Sequence, residues 1–174
     1  MKIIVFLLAF VLSQHLFAQT DGEREIQIAL NRLYEQLSFP DTNHLRIDSI
    51  QSLFTPSANI IANFGSPPLV WSVSKYINDT KEKIRSQQIS SYMELELSRK
   101  IDVFGKIAQV FSTYELKMVI KGKEVVRKGI SSIQFIRQDG SWLVASLVWD
   151  RESESLKIPE KYLRNVEMCK CGNV

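Results

Sequence analysis

The chain has 174 residues, 45% hydrophobic and 24% charged, with a formal net charge of +3 at neutral pH. That length and apolar content suit one domain with a real core and exclude a repetitive or low-complexity chain. So small a positive balance, evenly interspersed, excludes any charge-based argument for a nucleic-acid or membrane-surface partner.

Residues 1–18 read as a secretory signal: Lys2 supplies a positive start, Ile3 to Leu12 is almost unbroken apolar sequence, and Ala18 offers a small residue at the cut. Ser13, Gln14 and His15 interrupt the run well short of the roughly 20 apolar residues of a membrane span. The mature chain is therefore expected to be secreted or periplasmic, with no membrane insertion after cleavage. A single domain is expected over residues 19–152 and a tail over residues 153–174.

Glu23 to Leu37 carries Ile26, Leu30, Leu33 and Leu37 at helical spacing, with Tyr34 beside them. Phe39-Pro40 ends that helix. Asp41 is placed to cap a second one carrying Leu45, Ile50, Leu53 and Phe54, which Pro56 stops. Ala58 to Phe64 and Leu69-Val70-Trp71 read as short strands. A third helix follows, capped by Ser72 and burying Val73, Tyr76 or Ile77, Thr80 and Ile84.

Met93 to Asp150 reads as four consecutive antiparallel strands. Met93, Leu95 and Leu97 alternate on one face, as do Val110, Ser112, Tyr114, Leu116 and Met118. Gly122-Lys123 suits a two-residue turn, Asp139-Gly140 suits a type I′ turn, and Phe104 to Ile107 spans a looser connection. These turns set Arg99 opposite Ser112, then Ile133 and Ser146. The next row is Leu97, Tyr114, Ser131 and Val148, and the one after it Leu95, Leu116, Gly129 and Asp150. This face is expected to be concave and covered by helices. On the other face Glu94, Glu96, Glu115 and Lys117 read as solvated charges. Further along it, Phe111, Ile130, Leu143, Ala145, Leu147 and Trp149 form an apolar patch, which predicts a homodimer through Phe111, Ile130, Leu143, Leu147 and Trp149. A one-residue slip would exchange the faces of the strand that follows it.

The order of three helices, a short strand pair and a long sheet ending in Phe135-Ile136-Arg137-Gln138-Asp139-Gly140-Ser141-Trp142-Leu143-Val144 resembles the nuclear transport factor 2-like superfamily. That superfamily includes ketosteroid isomerases, scytalone dehydratase and SnoaL-like cyclases. The resemblance covers about Glu23 to Arg151 and speaks for fold more than for activity. It implies a cone-shaped α+β fold: a strongly curved antiparallel β-sheet with three N-terminal helices packed on its concave face. A pocket lies between the two layers, and members often pair through the outer sheet face. Some members move protons with an Asp, His or Tyr, and others only bind. Several small relatives carry histidines in the last strand, where this chain has Ser146 and Val148.

Tyr34, Arg99, Ser112, Tyr114, Ser131 and Ser146 are the expected pocket residues. Arg99 has two readings: an anchor for a carboxylate or other anion, or a partner of a helix carboxylate such as Glu35. Asp150 is the candidate general base, with Tyr114 or Arg99 stabilising an oxyanion. Pairing with Arg127 or Lys128 would instead keep Asp150 ionised and structural. His44 with Asp41 and Asp48 shares one helix side, but capping and solvation account for them. Cys169 and Cys171 can pair in an oxidising compartment, and two thiolates without histidines do not make a metal site. Asn78-Asp79-Thr80 fits a glycosylation sequon, a motif common by chance.

No P-loop, dinucleotide fingerprint, nucleophile elbow or zinc-protease helix is present, and no cofactor or metal is expected. The leading expectation is an exported binding or accessory module for a small, partly apolar molecule, an anion among the candidates. The alternatives are a cofactor-independent lyase or isomerase and a purely structural dimerisation unit.

Overall fold

The computed structural model describes residues 21–163. The signal sequence expected at residues 1–18 lies outside them, as do Cys169 and Cys171. Helix α1 covers residues 21–37 of the described chain. Its stripe of Ile26, Leu30 and Leu33 is buried in the core. At its end Phe39 makes an isolated bridge with Tyr92, exchanging both backbone hydrogen bonds at 2.7 and 2.9 Å.

Where the sequence predicts a second α-helix, the chain forms two 3-10 turns, Thr42–His44 and Ile47–Leu53. Ile47, Ile50 and Leu53 recur every third residue, which suits the period of that tighter helix. Asp41 caps the first turn by accepting from the Asn43 amide at 2.9 Å. Helix α2, Val73–Ser86, is capped by Ser72 and buries Val73, Ile77 and Ile84.

Six strands form one open sheet: β1 (Phe54–Ala62), β2 (Leu69–Ser72), β3 (Ile89–Phe104), β4 (Ile107–Ile120), β5 (Lys123–Gln138) and β6 (Ser141–Arg151). Their spatial order is β2-β1-β6-β5-β4-β3. The sheet is mixed, not wholly antiparallel, because β1 joins β6 in parallel. The helices and 3-10 turns lie on its concave side, where Ile60, Val110, Ile133, Phe135 and Val144 meet Ile26, Leu30, Leu33 and Ile50 in one apolar core.

Three tight turns set the registers of β3 to β6. Gly105-Lys106 joins β3 to β4, Asp139-Gly140 joins β5 to β6, and the β4–β5 turn is Lys121-Gly122, one residue earlier than the sequence suggests. Lys121 and Gly122 both take positive φ (50° and 75°), as do Asp139 and Gly140 (50° and 80°), the backbone that type I′ turns demand. The shifted turn moves β5 by two residues, so Ser112 faces Ser131 rather than Ile133 and Tyr114 faces Gly129. A two-residue shift leaves every side chain of β5 on its expected face.

Two of the sheet's β-bulges change the faces predicted for residues of β3 and β6. Arg99 pairs with Ser112 as the sequence indicates, but the ladder slips between Glu96 and Ser98, leaving Leu97 as an extra residue. Beyond it Glu96 lies opposite Tyr114 and Glu94 opposite Leu116. The expected apolar row is thus turned outward, with Met93 44% and Leu95 60% exposed. Glu94 and Glu96 are not solvated charges of the outer face but face the helices. A second slip leaves Ala145 extra in β6. After it Leu147, Trp149 and Arg151 face inward, whereas Ser146, Val148 and Asp150 face out. Each bulge adds one residue to a period of two, which inverts all that follows.

The tail after β6 folds back over the convex face. The Tyr162 carbonyl accepts from the hydroxyls of Ser98 and Thr113, the latter at 2.6 Å. Its ring packs on Phe111 at 5.0 Å between centroids.

Candidate functional site

Between the sheet and the helices lies a cavity of about 280 Å³, near the lower end of the range for small-molecule sites. Leu33 and Leu37 of α1, Ile84 of α2, Leu116 and Met118 of β4, and Leu147 of β6 supply apolar wall. Trp71 and Trp149 stack at 6.1 Å with planes 6° apart, and the Tyr76 ring meets both edge-on at 5.9 and 6.3 Å. The Trp71 indole donates to Asp79 at 2.8 Å, and Lys75 holds the same carboxylate at 2.7 Å.

Two carboxylates border this cavity: Asp79, held by Trp71 and Lys75, and Glu94. The Glu94 backbone amide donates to Ser38 Oγ at 3.0 Å, tying β3 to the end of α1. Burial among apolar and aromatic groups pushes its pKa up to about 7, and a long hydrogen bond from the Tyr92 hydroxyl (3.5 Å) draws it partly back. Near neutral pH this carboxyl is therefore poised between its two protonation states. The hydroxyls of Tyr76, Tyr92 and Tyr114 also border the cavity. Burial, and then the nearby Glu94, raises their pKa values, so all three stay neutral donors.

A closed polar network runs beside the cavity, beneath α1. Tyr34 bonds the Ser112 hydroxyl at 2.9 Å, and Ser112 donates to Glu96 Oε1 at 2.5 Å. Glu96 is ion-paired with Arg99, which also donates to Asn31 of α1 at 2.9 Å. The Glu96 pKa is raised by burial despite Ser112 and Arg99, which pull it down. This network engages Tyr34, Ser112, Glu96 and Arg99 with one another and with α1 without a ligand.

Of the residues expected at the pocket, Tyr34, Tyr114 and Ser131 border the cavity. Arg99 and Ser112 face the same side but belong to the network; the carboxylate that Arg99 meets is Glu96 of its own strand, not Glu35. Ser146 does not reach the pocket, because the Ala145 bulge turns it to the convex face. Asp150, the expected base, is turned the same way, and one of its oxygens accepts from the Arg151 amide at 2.7 Å. Leu147 and Trp149, expected at a dimer interface, are cavity wall instead. Phe111 lies under Tyr162, and Ile130 borders the groove between the outer face and the tail. Leu143 precedes the bulge and pairs with Ile136, next to the inward Phe135–Val144 pair, which leaves it on the convex side. His44 and Asp41 form an exposed pair at 2.8 Å, while Asp48 binds Lys81. Among the described residues no group of three or more His, Cys, Asp or Glu side chains could hold a metal ion. None of the described helices is long and apolar enough to cross a membrane.

Glu94 escapes a reading of the sequence because strict alternation from Met93 puts it outside. The one usable signal is that Tyr92, Glu94 and Glu96 alternate just as well as Met93, Leu95 and Leu97.

The overall fold is shared with many solved structures. The chain has the nuclear transport factor 2-like fold. An NTF-2-like protein of unknown function from Silicibacter pomeroyi matches it with a TM-score of 0.52 at 12% identity, over 76% of this chain and 98% of that one. A protein from Kribbella flavida matches at 0.63 and 14% identity, over 78% and 93%. A scytalone dehydratase-like protein from Novosphingobium aromaticivorans matches at 0.62 and 14%, over 77% and 86%. No family model matches the sequence, and no curated protein does. At these identities the nuclear transport factor 2-like likeness is one of fold alone.

Proposed function

We propose that this chain is an exported pocket protein that exchanges a proton with a small, largely apolar ligand: a cofactor-independent lyase or isomerase with Glu94 as its base. The observation that carries this is the Glu94 carboxyl, set in an aromatic cavity with its pKa raised by burial to about 7. A base with a pKa near the working pH combines a useful ionised fraction with useful proton affinity. Tyr114 and Tyr76, neutral and bordering the same cavity, supply hydroxyls able to donate to an oxygen on which charge develops. The fold likeness to a scytalone dehydratase-like protein supports the same class of chemistry. Export rests on the sequence of residues 1–18.

Proton exchange is tested in deuterated buffer. A thermal-shift screen first selects ligands, and proton NMR then follows wash-in of deuterium at their acidic carbon positions. The wild-type chain is expected to accelerate wash-in, with a rate that rises through a midpoint near pH 7, and Glu94→Gln is expected to abolish it. Bound ligands without any accelerated exchange would overturn the catalytic reading. The second reading, a binding module without turnover, is favoured by how much of the wall is plain aliphatic, with Leu33, Leu116, Ile133 and Leu147 all facing the cavity.

A further inference from the structure

The cavity wall carries two arginines that form no ion pair among the described residues. Arg127 of β5 and Arg151 of β6 both border it. Arg151 pairs with Gly129, so Arg127, two residues along, is its diagonal neighbour on the same sheet face. Such positions lie roughly 7 Å apart, close enough for long side chains to converge. Among the described residues no carboxylate lies within 4.0 Å of either guanidinium, although ten other ion pairs form across the molecule. Neighbouring like charges without a counter-ion repel, and no acidic side chain among the described residues pairs with them.

The site is also shaped. The Arg151 guanidinium lies over the Phe64 ring, 3.5 Å from its centroid. Stacking of this kind fixes the guanidinium plane and leaves its N–H edge free. Tyr114 reaches across Gly129 toward the same place: a Cβ built on Gly129 would stand 2.4 Å from the Tyr114 hydroxyl. Only glycine leaves room for that approach. Among the described residues the Tyr114 hydroxyl has no hydrogen-bond partner. Beyond the Trp71–Trp149 stack, Lys83 sits 5.5 Å from the Trp71 ring centroid and adds a third positive charge to the wall.

We propose that Arg127, Arg151 and the Tyr114 hydroxyl form an anion-binding site in the cavity wall, selecting ligands whose apolar, aromatic body carries a carboxylate or a comparable oxyanion. The inference rests on the pocket reading above and names its substrate class. A planar oxyanion matches the paired N–H groups of a guanidinium, and the aromatic walls match a flat ring system.

The test compares 2-naphthoate with 2-naphthamide, which share a ring body and differ in charge, by titration calorimetry on the mature chain at neutral pH. The acid is expected to bind at least tenfold more tightly than the amide, and added salt is expected to narrow that gap. The double variant R127Q/R151Q is expected to erase the preference, and an unchanged circular-dichroism spectrum and melting temperature show that the variant is folded. Equal affinities for the two probes in the wild type, or a preference that survives the double variant, would overturn the anion site and leave the pocket reading standing. Binding of neither probe would count against the pocket itself and remove both.

Discussion

Glu96 lies directly across the β3–β4 ladder from Tyr114, one residue out of step with the Arg99–Ser112 pair beside it. That offset places the inner carboxylates. It brings Glu96 under α1 to meet Arg99, and it sets Glu94, two residues along, into the aromatic cavity.

The first consequence is a pH dependence of stability. Glu94 has a raised pKa in the folded chain, about 7 against an ordinary 4.5. The folded state therefore holds this proton over a range in which the unfolded state has lost it. Its contribution is fully present below about pH 4.5 and lost as pH rises through about 7, where the folded state must carry a buried charge. A shift of this size corresponds to about 3 kcal/mol. Urea unfolding between pH 4.5 and 8 is expected to show that decline in the wild type and a flatter profile in Glu94→Gln. Identical profiles would remove the poised carboxyl.

Leu147→Glu tests which face this part of β6 presents. With Leu147 in the cavity wall, the substitution sets a second carboxylate near Glu94 without a partner. It is expected to destabilise the fold by about 2 kcal/mol or more and to raise the Glu94 pKa further. Were Leu147 on an outer interface, the same change would alter self-association and leave thermal stability nearly intact. Differential scanning calorimetry with light scattering separates the two outcomes.

Gly129→Ala isolates the close approach of Tyr114. The added Cβ would stand 2.3 Å from the Asp150 carbonyl as well as against the tyrosine, so backbone has to shift. A loss of about 1–3 kcal/mol is expected, by analogy with other overpacked cores. Tyr114→Phe in the same background would recover little, since the backbone clash remains. Chemical denaturation of the two variants measures both effects.

Ending the chain after Glu152 removes the residues that cover the outer face. Phe111 would lose the Tyr162 ring, and Ser98 and Thr113 would lose the carbonyl they share. Newly exposed apolar area of this kind favours association. The shortened chain is expected to self-associate at lower concentration than the full one in sedimentation velocity. Equal behaviour would show that the tail does not compete for this surface.

The layered plan was legible because its signals are local. Ile26, Leu30 and Leu33 declare a helix, Asp139-Gly140 declares a hairpin, and the Arg99–Ser112 pairing follows from counting back from a tight turn. The parallel join of β1 to β6 was not legible, since no turn connects the two strands. The site was only partly legible, because a bulge needs one residue and no special one. Leu97 and Ala145 are ordinary strand residues, and nothing in their side chains marks them as extra. Each inverted what followed, so Ser146 and Asp150 left the pocket while Glu94, Trp149 and Arg151 entered it.

Ala145 has a consequence for how such proteins diverge. Taken into the pleat as an ordinary strand residue, it would put a serine, a valine and an aspartate along one side of the chamber in place of the leucine, tryptophan and arginine, whereas loss of its codon would only remove the bulge and keep the present lining. Two sequences that align without a gap through β6 can therefore line the chamber with opposite sides of that strand, one bulged and one regular, and hold unlike ligands.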